Sequence, residues 1–153
     1  PAFVIGAIGM DFKPSKKLSL FVAPVTYKST IVLDDTLSAL GAFGVEAGEN
    51  IRSEIGGYIK VRYKNEIFKN VTYLGKLDLF SNYFNNPENI DVNWENIFTM
   101  KVNEFLSANF MTHFVYDDDV FISLDNDNDG VIDASGKRLQ IKQVFGAGLS
   151  FKF

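Results

Sequence analysis

Gln143-Val-Phe-Gly-Ala-Gly-Leu-Ser-Phe-Lys-Phe153 alternates large apolar with small or polar side chains up to a terminal aromatic. Strand side chains repeat with period two. Phe145, Ala147, Leu149, Phe151 and Phe153 therefore share one face, and Val144, Gly146, Gly148, Ser150 and Lys152 share the other. The pattern is that of a long strand with two unlike faces, and no comparable helical repeat occurs in the chain.

Working back from this run, six others are strand-like: 3–12, 18–29, 54–64, 71–82, 92–102 and 106–117, with the last at 138–153. Most are about ten to twelve residues long, which matches the ~9–11 of a tilted bilayer-crossing strand and exceeds the ~5–6 usual in water-soluble sheets. The connections alternate in length. Lys13-Pro-Ser-Lys-Lys17, Asn65-Glu-Ile-Phe-Lys-Asn70 and Asn103-Glu-Phe105 are short, whereas 33–53, 83–91 and 118–137 are long. Short turns at one end and long loops at the other describe an up-and-down meander.

The composition is compatible with this. At 153 residues the chain reads as one domain, 1–153. Mean hydropathy is near zero, and no apolar run approaches the ~18 residues of a membrane helix. A helical membrane protein is excluded. A barrel is not, because alternation dilutes each spanning strand with polar residues. Without cysteine there are no disulfides and no thiolate metal sites. The chain starts at Pro1 with no Met or signal peptide, so if the protein is exported its N-terminus has been processed or this is a fragment.

Faces are cleanest in the third and fifth runs. Ile55, Gly57, Ile59, Val61 and Tyr63 oppose Glu54, Tyr58, Lys60, Arg62 and Lys64; Val92, Trp94, Phe98 and Met100 oppose Asn93, Glu95, Thr99, Lys101 and Asn103. The first set of each is expected to face lipid and the second a polar lumen. The first two runs are ambiguous, with apolar residues on both faces, and Pro24 weakens its strand because it cannot donate to a ladder. Phe12, Tyr63, Tyr73, Phe105, Phe151 and Phe153 fall at the short-turn end, and Tyr27, Tyr83, Trp94 and Tyr116 at the long-loop end, as two aromatic girdles.

These observations predict an all-β fold, an up-and-down antiparallel transmembrane β-barrel. Its expected place is the bacterial outer membrane, with the C-terminus on the periplasmic side. A strand ending on an interfacial aromatic resembles the closing strand and sorting signal of such barrels, which implies capture by the barrel-assembly machinery. Seven strands is odd, whereas single-chain bacterial barrels are even. The chain is therefore expected to be the C-terminal part of a larger even-stranded barrel, unless a strand hides in the loops.

Local strings carry a further resemblance. Gly6-Ala-Ile-Gly-Met-Asp-Phe-Lys-Pro14, Gly41-Ala-Phe-Gly-Val45, Lys76-Leu-Asp-Leu-Phe-Ser-Asn-Tyr83, Asn85-Asn-Pro-Glu-Asn-Ile-Asp-Val-Asn-Trp-Glu95, Thr112-His113, Tyr116-Asp-Asp-Asp119 and the closing strand are similar to a family of Bacteroidota outer-membrane β-barrels known only as a domain of unknown function. Members of that family look about twice as long, with more strands on the N-terminal side. The resemblance implies location and fold, and brings no activity or catalytic residue.

Charge is segregated. The stretches 33–54, 83–93 and 117–137 hold fourteen of the nineteen carboxylates and, among basic residues, only Arg52 and Lys137. The remaining residues carry thirteen basic and five acidic groups. Lumen-facing Lys60, Arg62, Lys76, Lys101, Lys142 and Lys152, with Asp78 and Glu95, form either a mutually paired plug or the lining of an anion-preferring pore.

The sharpest chemical motif is Asp125-Asn-Asp-Asn-Asp-Gly-Val-Ile-Asp133. Asp125, Asp127, Asp129 and Asp133 occupy the first, third, fifth and ninth places, Gly130 the sixth, and Val131 offers a carbonyl at the seventh, which suits Ca2+. Gly136 stands at the twelfth place where an EF-hand has Glu, and no flanking helices are predicted, so affinity would be weak, ~10⁻⁴–10⁻³ M. The alternative is a merely acidic, turn-rich loop. Asp117-Asp-Asp119 either supplements that site, bridges divalent cations to lipopolysaccharide phosphates, or starts a solvated loop.

His113, the sole histidine, invites an enzyme reading, yet Asp117 on its face lies four residues on, about 13 Å at ~3.3 Å per residue. That exceeds the base–orienter distance of a triad, and no Gly-x-Ser-x-Gly elbow exists. The glycines at 41–44 and 56–57 lack the strand–turn–helix setting of a phosphate loop, and Gly57 and Gly75 suit strand curvature. No exposed basic-aromatic patch favours nucleic acid. The expected function is a non-enzymatic outer-membrane protein whose partners are membrane lipid and lipopolysaccharide. It acts as a small-solute channel or, alternatively, as a structural or adhesive protein with calcium-organised loops; an outer-membrane hydrolase is the weakest alternative.

Overall fold

The computed structural model describes residues 1–124 and 133–149. Strands β1 (Ala2–Phe12), β2 (Leu18–Ile31), β3 (Ile51–Phe68), β4 (Val71–Asn82), β5 (Asp91–Lys101), β6 (Leu106–Tyr116) and β9 (Gln140–Leu149) form one seven-stranded sheet in that order. Every neighbouring pair is antiparallel, so the meander read from the sequence is present. Ser150, Phe151, Lys152 and Phe153 lie outside the described residues.

The differences from expectation are local. β3 runs on to Phe68, so the expected six-residue turn shrinks to Lys69 and Asn70; Phe68 pairs with Val71, and Asn70 turns the chain at φ 66°. Asparagine tolerates that left-handed backbone better than most residues. A short helix α1 (Asp35–Ala39), whose Leu37 N–H donates to Asp34 Oδ1 at 3.0 Å, sits in the first long loop. A two-stranded hairpin of β7 (Ile122–Leu124) and β8 (Ala134–Gly136) sits in the third. Neither is long enough to show a period in sequence, and the hairpin does not join the main sheet.

Pro24 lies in a register shift of β2 against both neighbours. Ile8 pairs with Val25 but Met10 with Val22, and Ala23 pairs with Tyr58 but Thr26 with Gly56. A bulge is where a strand tolerates a residue with no N–H to donate.

Registers sort the side chains into two faces. Lys28 opposes Glu54, Lys60 opposes Asp78, Lys76 opposes Glu95, and His113 opposes Lys142 on one face. Leu20, Val61, Leu77, Trp94, Phe114 and Ile141 follow one another across the other. Rings on this second face touch in pairs: Trp94 with Phe114 at 5.4 Å, and Tyr73 with Phe98 at 5.0 Å between centroids.

Burial does not follow the pattern of a globule in water. Among the described residues the buried hydrophobics are Ala23, Val32, Val45 and Phe80, while Ile8 is 77% exposed, Phe145 70% and Leu149 71%. A chain of this size folding around an apolar core in water would bury many more large side chains.

The barrel expected of the larger protein is not closed within this chain: the sheet is open, and neither β1 nor β9 has a second strand partner among the described residues. Direction supplies the reason. Seven alternating strands leave β1 and β9 pointing the same way, so an antiparallel ladder cannot form between them.

Candidate functional site: an ionic cluster on the polar face

Lys28 on β2 and Glu54 on β3 are register partners. Lys28 Nζ lies 2.8 Å from Asp91 Oδ2 on β5, 3.5 Å from Glu54 Oε2 and 3.8 Å from Asp117 Oδ2, with the Phe80 ring centroid 4.8 Å away. Arg52 donates through Nη2 to Glu54 Oε1 at 2.6 Å and also reaches Asp119, beyond the end of β6. Asn82 Nδ2 donates to the same Glu54 oxygen at 3.3 Å. Neighbouring strands stand about 4.8 Å apart, so a flat sheet would hold β2 and β5 roughly 14 Å from each other. Direct contact between their side chains requires the sheet to curl with its polar face concave.

Glu54 is 3% exposed, and its Oε2 accepts no hydrogen bond, leaving Lys28 as its compensation. The cluster is therefore four carboxylates held by two cations. Among the described residues no group of three or more histidines or carboxylates is arranged to hold a metal.

The first long loop folds onto this cluster. Val32 N–H donates to Asn50 O and Asn50 Nδ2 to Val32 O, each at 2.7 Å, and Ser38 Oγ donates to Glu49 O at 2.8 Å. Gly44, at φ 76°, packs against the Arg52 guanidinium, where an added Cβ would collide.

Beside it, Asp118 accepts from Lys137 Nζ at 2.6 Å, from Tyr116 Oη at 3.0 Å and from Asn89. The Lys137 ammonium, helped by the Tyr116 hydroxyl, holds the Asp118 carboxyl below the usual carboxylate range. The same contact raises Lys137 above the usual lysine range.

Along the rest of the polar face Lys76 pairs with Glu95 at 2.6 Å, Lys60 lies 3.9 Å from Asp78, and Tyr58 donates to Asp78. Arg62, Lys101 and Lys142 have no ion pair among the described residues. His113 Nε2 and Asn93 Oδ1 form a hydrogen bond of 2.6 Å, while Asp117 lies near Lys28. The structure thus does not join His113 to Asp117.

Of the calcium candidates, Asp125, Asp127, Asp129 and Val131 lie outside the described residues, and Asp133 is exposed. Leu124 pairs with Ala134, so β7 and β8 bring the two ends of that segment together. The Lys28–Glu54–Asp91 cluster escaped sequence reading because its members are up to 63 residues apart. The signal was present only as Lys28, the one charged residue of the second run.

Comparison with known protein families, with curated proteins and with solved structures finds no match to the chain.

Proposed function

We propose that the chain is a non-enzymatic outer-membrane β-barrel protein with a charged lumen, the C-terminal part of a larger even-stranded barrel. The observation that carries this is the division of one curled sheet into an apolar face that stays exposed and a concave face lined by ion pairs. An apolar surface of this extent suits hydrocarbon rather than water. The unpaired β1 and β9 edges fit the same reading, since an all-antiparallel closure takes an odd number of further strands between them. The pairs Lys76–Glu95 and Lys60–Asp78 favour a largely neutralised lumen that passes small solutes, with Arg62, Lys101 and Lys142 biasing it toward anions.

Refolding into phospholipid vesicles tests the location: strands protected from protease, with cleavage confined to the long loops, is the expected result. A chain that stays monomeric in buffer without detergent or lipid overturns it. Conductance of the completed barrel in a planar bilayer tests the channel.

A second reading, surface adhesion through calcium-organised loops, is favoured by the β7–β8 hairpin that brings together the ends of the Asp125–Asp133 motif. Millimolar calcium is then expected to protect the 118–137 loop from protease, magnesium to substitute poorly, and Asp127→Asn with Asp129→Asn to abolish protection. Equal cleavage in calcium and in chelator refutes that reading.

A further inference from the structure

We propose that the short-turn end of the polar face carries a binding site for phosphate-type oxyanions, formed by Lys16, Lys17 and Lys64. The site follows from a step in the sheet. β2 begins at Leu18, opposite Tyr63, and Lys64 N–H donates to Lys17 O at 2.8 Å; beyond that point β3 continues to Phe68 beside β4 alone. The β1–β2 turn is thereby set into the corner beside a projecting hairpin. The corner is an open recess of about 580 Å³ lined by Lys16, Lys17, Lys64, Asn65, Glu66 and Thr72.

Three lysines line this recess, and none of them has an ion pair among the described residues. Glu66, the one carboxylate present, has Oε1 engaged by Asn70 N–H at 3.0 Å, where it caps the hairpin turn. Elsewhere on the sheet Lys13, Lys28, Lys60 and Lys76 each stand beside a carboxylate. Three lysines without an ion pair among the described residues are thus gathered at one concavity, whereas Arg62, Lys101 and Lys142 are not part of its lining. Like charges around a common space repel, and an anion carrying two or more charges relieves that repulsion. Lysines are mobile point charges that adapt to several oxygens at once, and the Thr72 hydroxyl adds a neutral donor. The acidic cluster around Lys28 lies roughly 35 Å away along β2, at ~3.3 Å per residue, too far to repel such a ligand through salt. The site does not depend on closure of the sheet.

The ligand is a free phosphorylated solute or the phosphate of a lipid headgroup, and two arms separate them. In the first, the full chain in nonionic micelles is titrated with inorganic pyrophosphate and followed by phosphorus NMR. Saturable binding is expected, weakening roughly fivefold for each lysine removed in Lys16→Gln, Lys17→Gln and Lys64→Gln. Lys69→Gln, at the same end but outside the recess, leaves it unchanged. In the second, the same variants are floated with phosphatidylglycerol and phosphatidylcholine vesicles. Recess-dependent capture by phosphatidylglycerol alone, without saturable pyrophosphate binding, assigns the site to headgroups; saturable pyrophosphate binding without recess-dependent flotation assigns it to free solutes. The positions are exposed, so unchanged circular dichroism verifies the fold of each variant. Absence of recess-dependent binding in both arms, or equal weakening by the Lys69 variant, overturns the proposal.

Discussion

Tyr73 donates its phenolic hydroxyl to Asn96 Oδ1 at 2.6 Å, from β4 to β5, on the apolar face of the sheet. The ring folds back over Gly75, where an added Cβ would stand 2.6 Å from the hydroxyl oxygen. Asn96 is 6% exposed, so this bond satisfies a polar group that would otherwise be buried amid aromatics. Gly75, read from sequence as a site of curvature, makes room for the tyrosine.

Tyr73→Phe leaves Asn96 Oδ1 without that donor and is expected to cost about 1–3 kcal/mol. Gly75→Ala displaces the same hydroxyl and costs a similar amount. Combined, the two cost little more than either alone, because both remove one bond. Additive losses in urea unfolding would separate Gly75 from the tyrosine contact.

The apolar face is testable by charge. Val61 pairs with Leu20 and Leu77 on that face, and Leu149 with Leu106, whereas Thr99 donates to Asn109 Oδ1 at 2.9 Å on the polar face. On the proposed membrane reading, arginine at mid-strand Val61 is expected to cost roughly 2–4 kcal/mol, and arginine at Leu149, opposite the first residue of β6, or at Thr99 less. Equal tolerance in a membrane-refolding titration removes the assignment of faces.

Arg52 ties the buried Glu54 carboxylate to Asp119 and underlies Gly44 of the first long loop. Arg52→Met strands part of that negative charge, at a cost of about 3 kcal/mol, and frees the 33–50 loop for protease. Adding Glu54→Gln recovers part of the stability without restoring the loop. If Arg52→Met changes neither unfolding nor loop cleavage, the cluster does not hold the loop.

The Asp118–Lys137 pair has a defined pH window. Asp118 is lowered by Lys137, so its contribution is present above the usual carboxylate range and is lost as pH falls through its depressed value. Lys137 is raised by Asp118, so its contribution is complete below the usual lysine range and is lost as pH rises through its elevated value. An NMR titration of Lys137 is expected to show a midpoint above the ordinary lysine value, and Asp118→Asn to return it. An unshifted midpoint in the parent chain refutes the pairing.

The runs centred on Tyr58, Leu77, Phe98 and Phe110 were legible because each repeats with period two over ten or more residues, and their faces needed no register. The β7–β8 hairpin and α1 were not, since three and five residues do not establish a period. The recess at Lys16, Lys17 and Lys64 was invisible for another reason: it depends on how far β3 outruns β2, which is a property of pairing.

By itself the sequence determined strand content, the alternation of short and long connections, and, in the cleanly alternating runs, which side chains share a face. These follow from local stereochemistry, in which each residue's side is set by its neighbours one position away. Tertiary structure decided what lies opposite what. Lys28 meets Asp91 across three strands, Arg52 meets Asp119, and β1 and β9 are left unpaired, because contacts across a sheet are set by register, curl and strand direction. Those quantities arise only when the strands assemble, and no single strand encodes them.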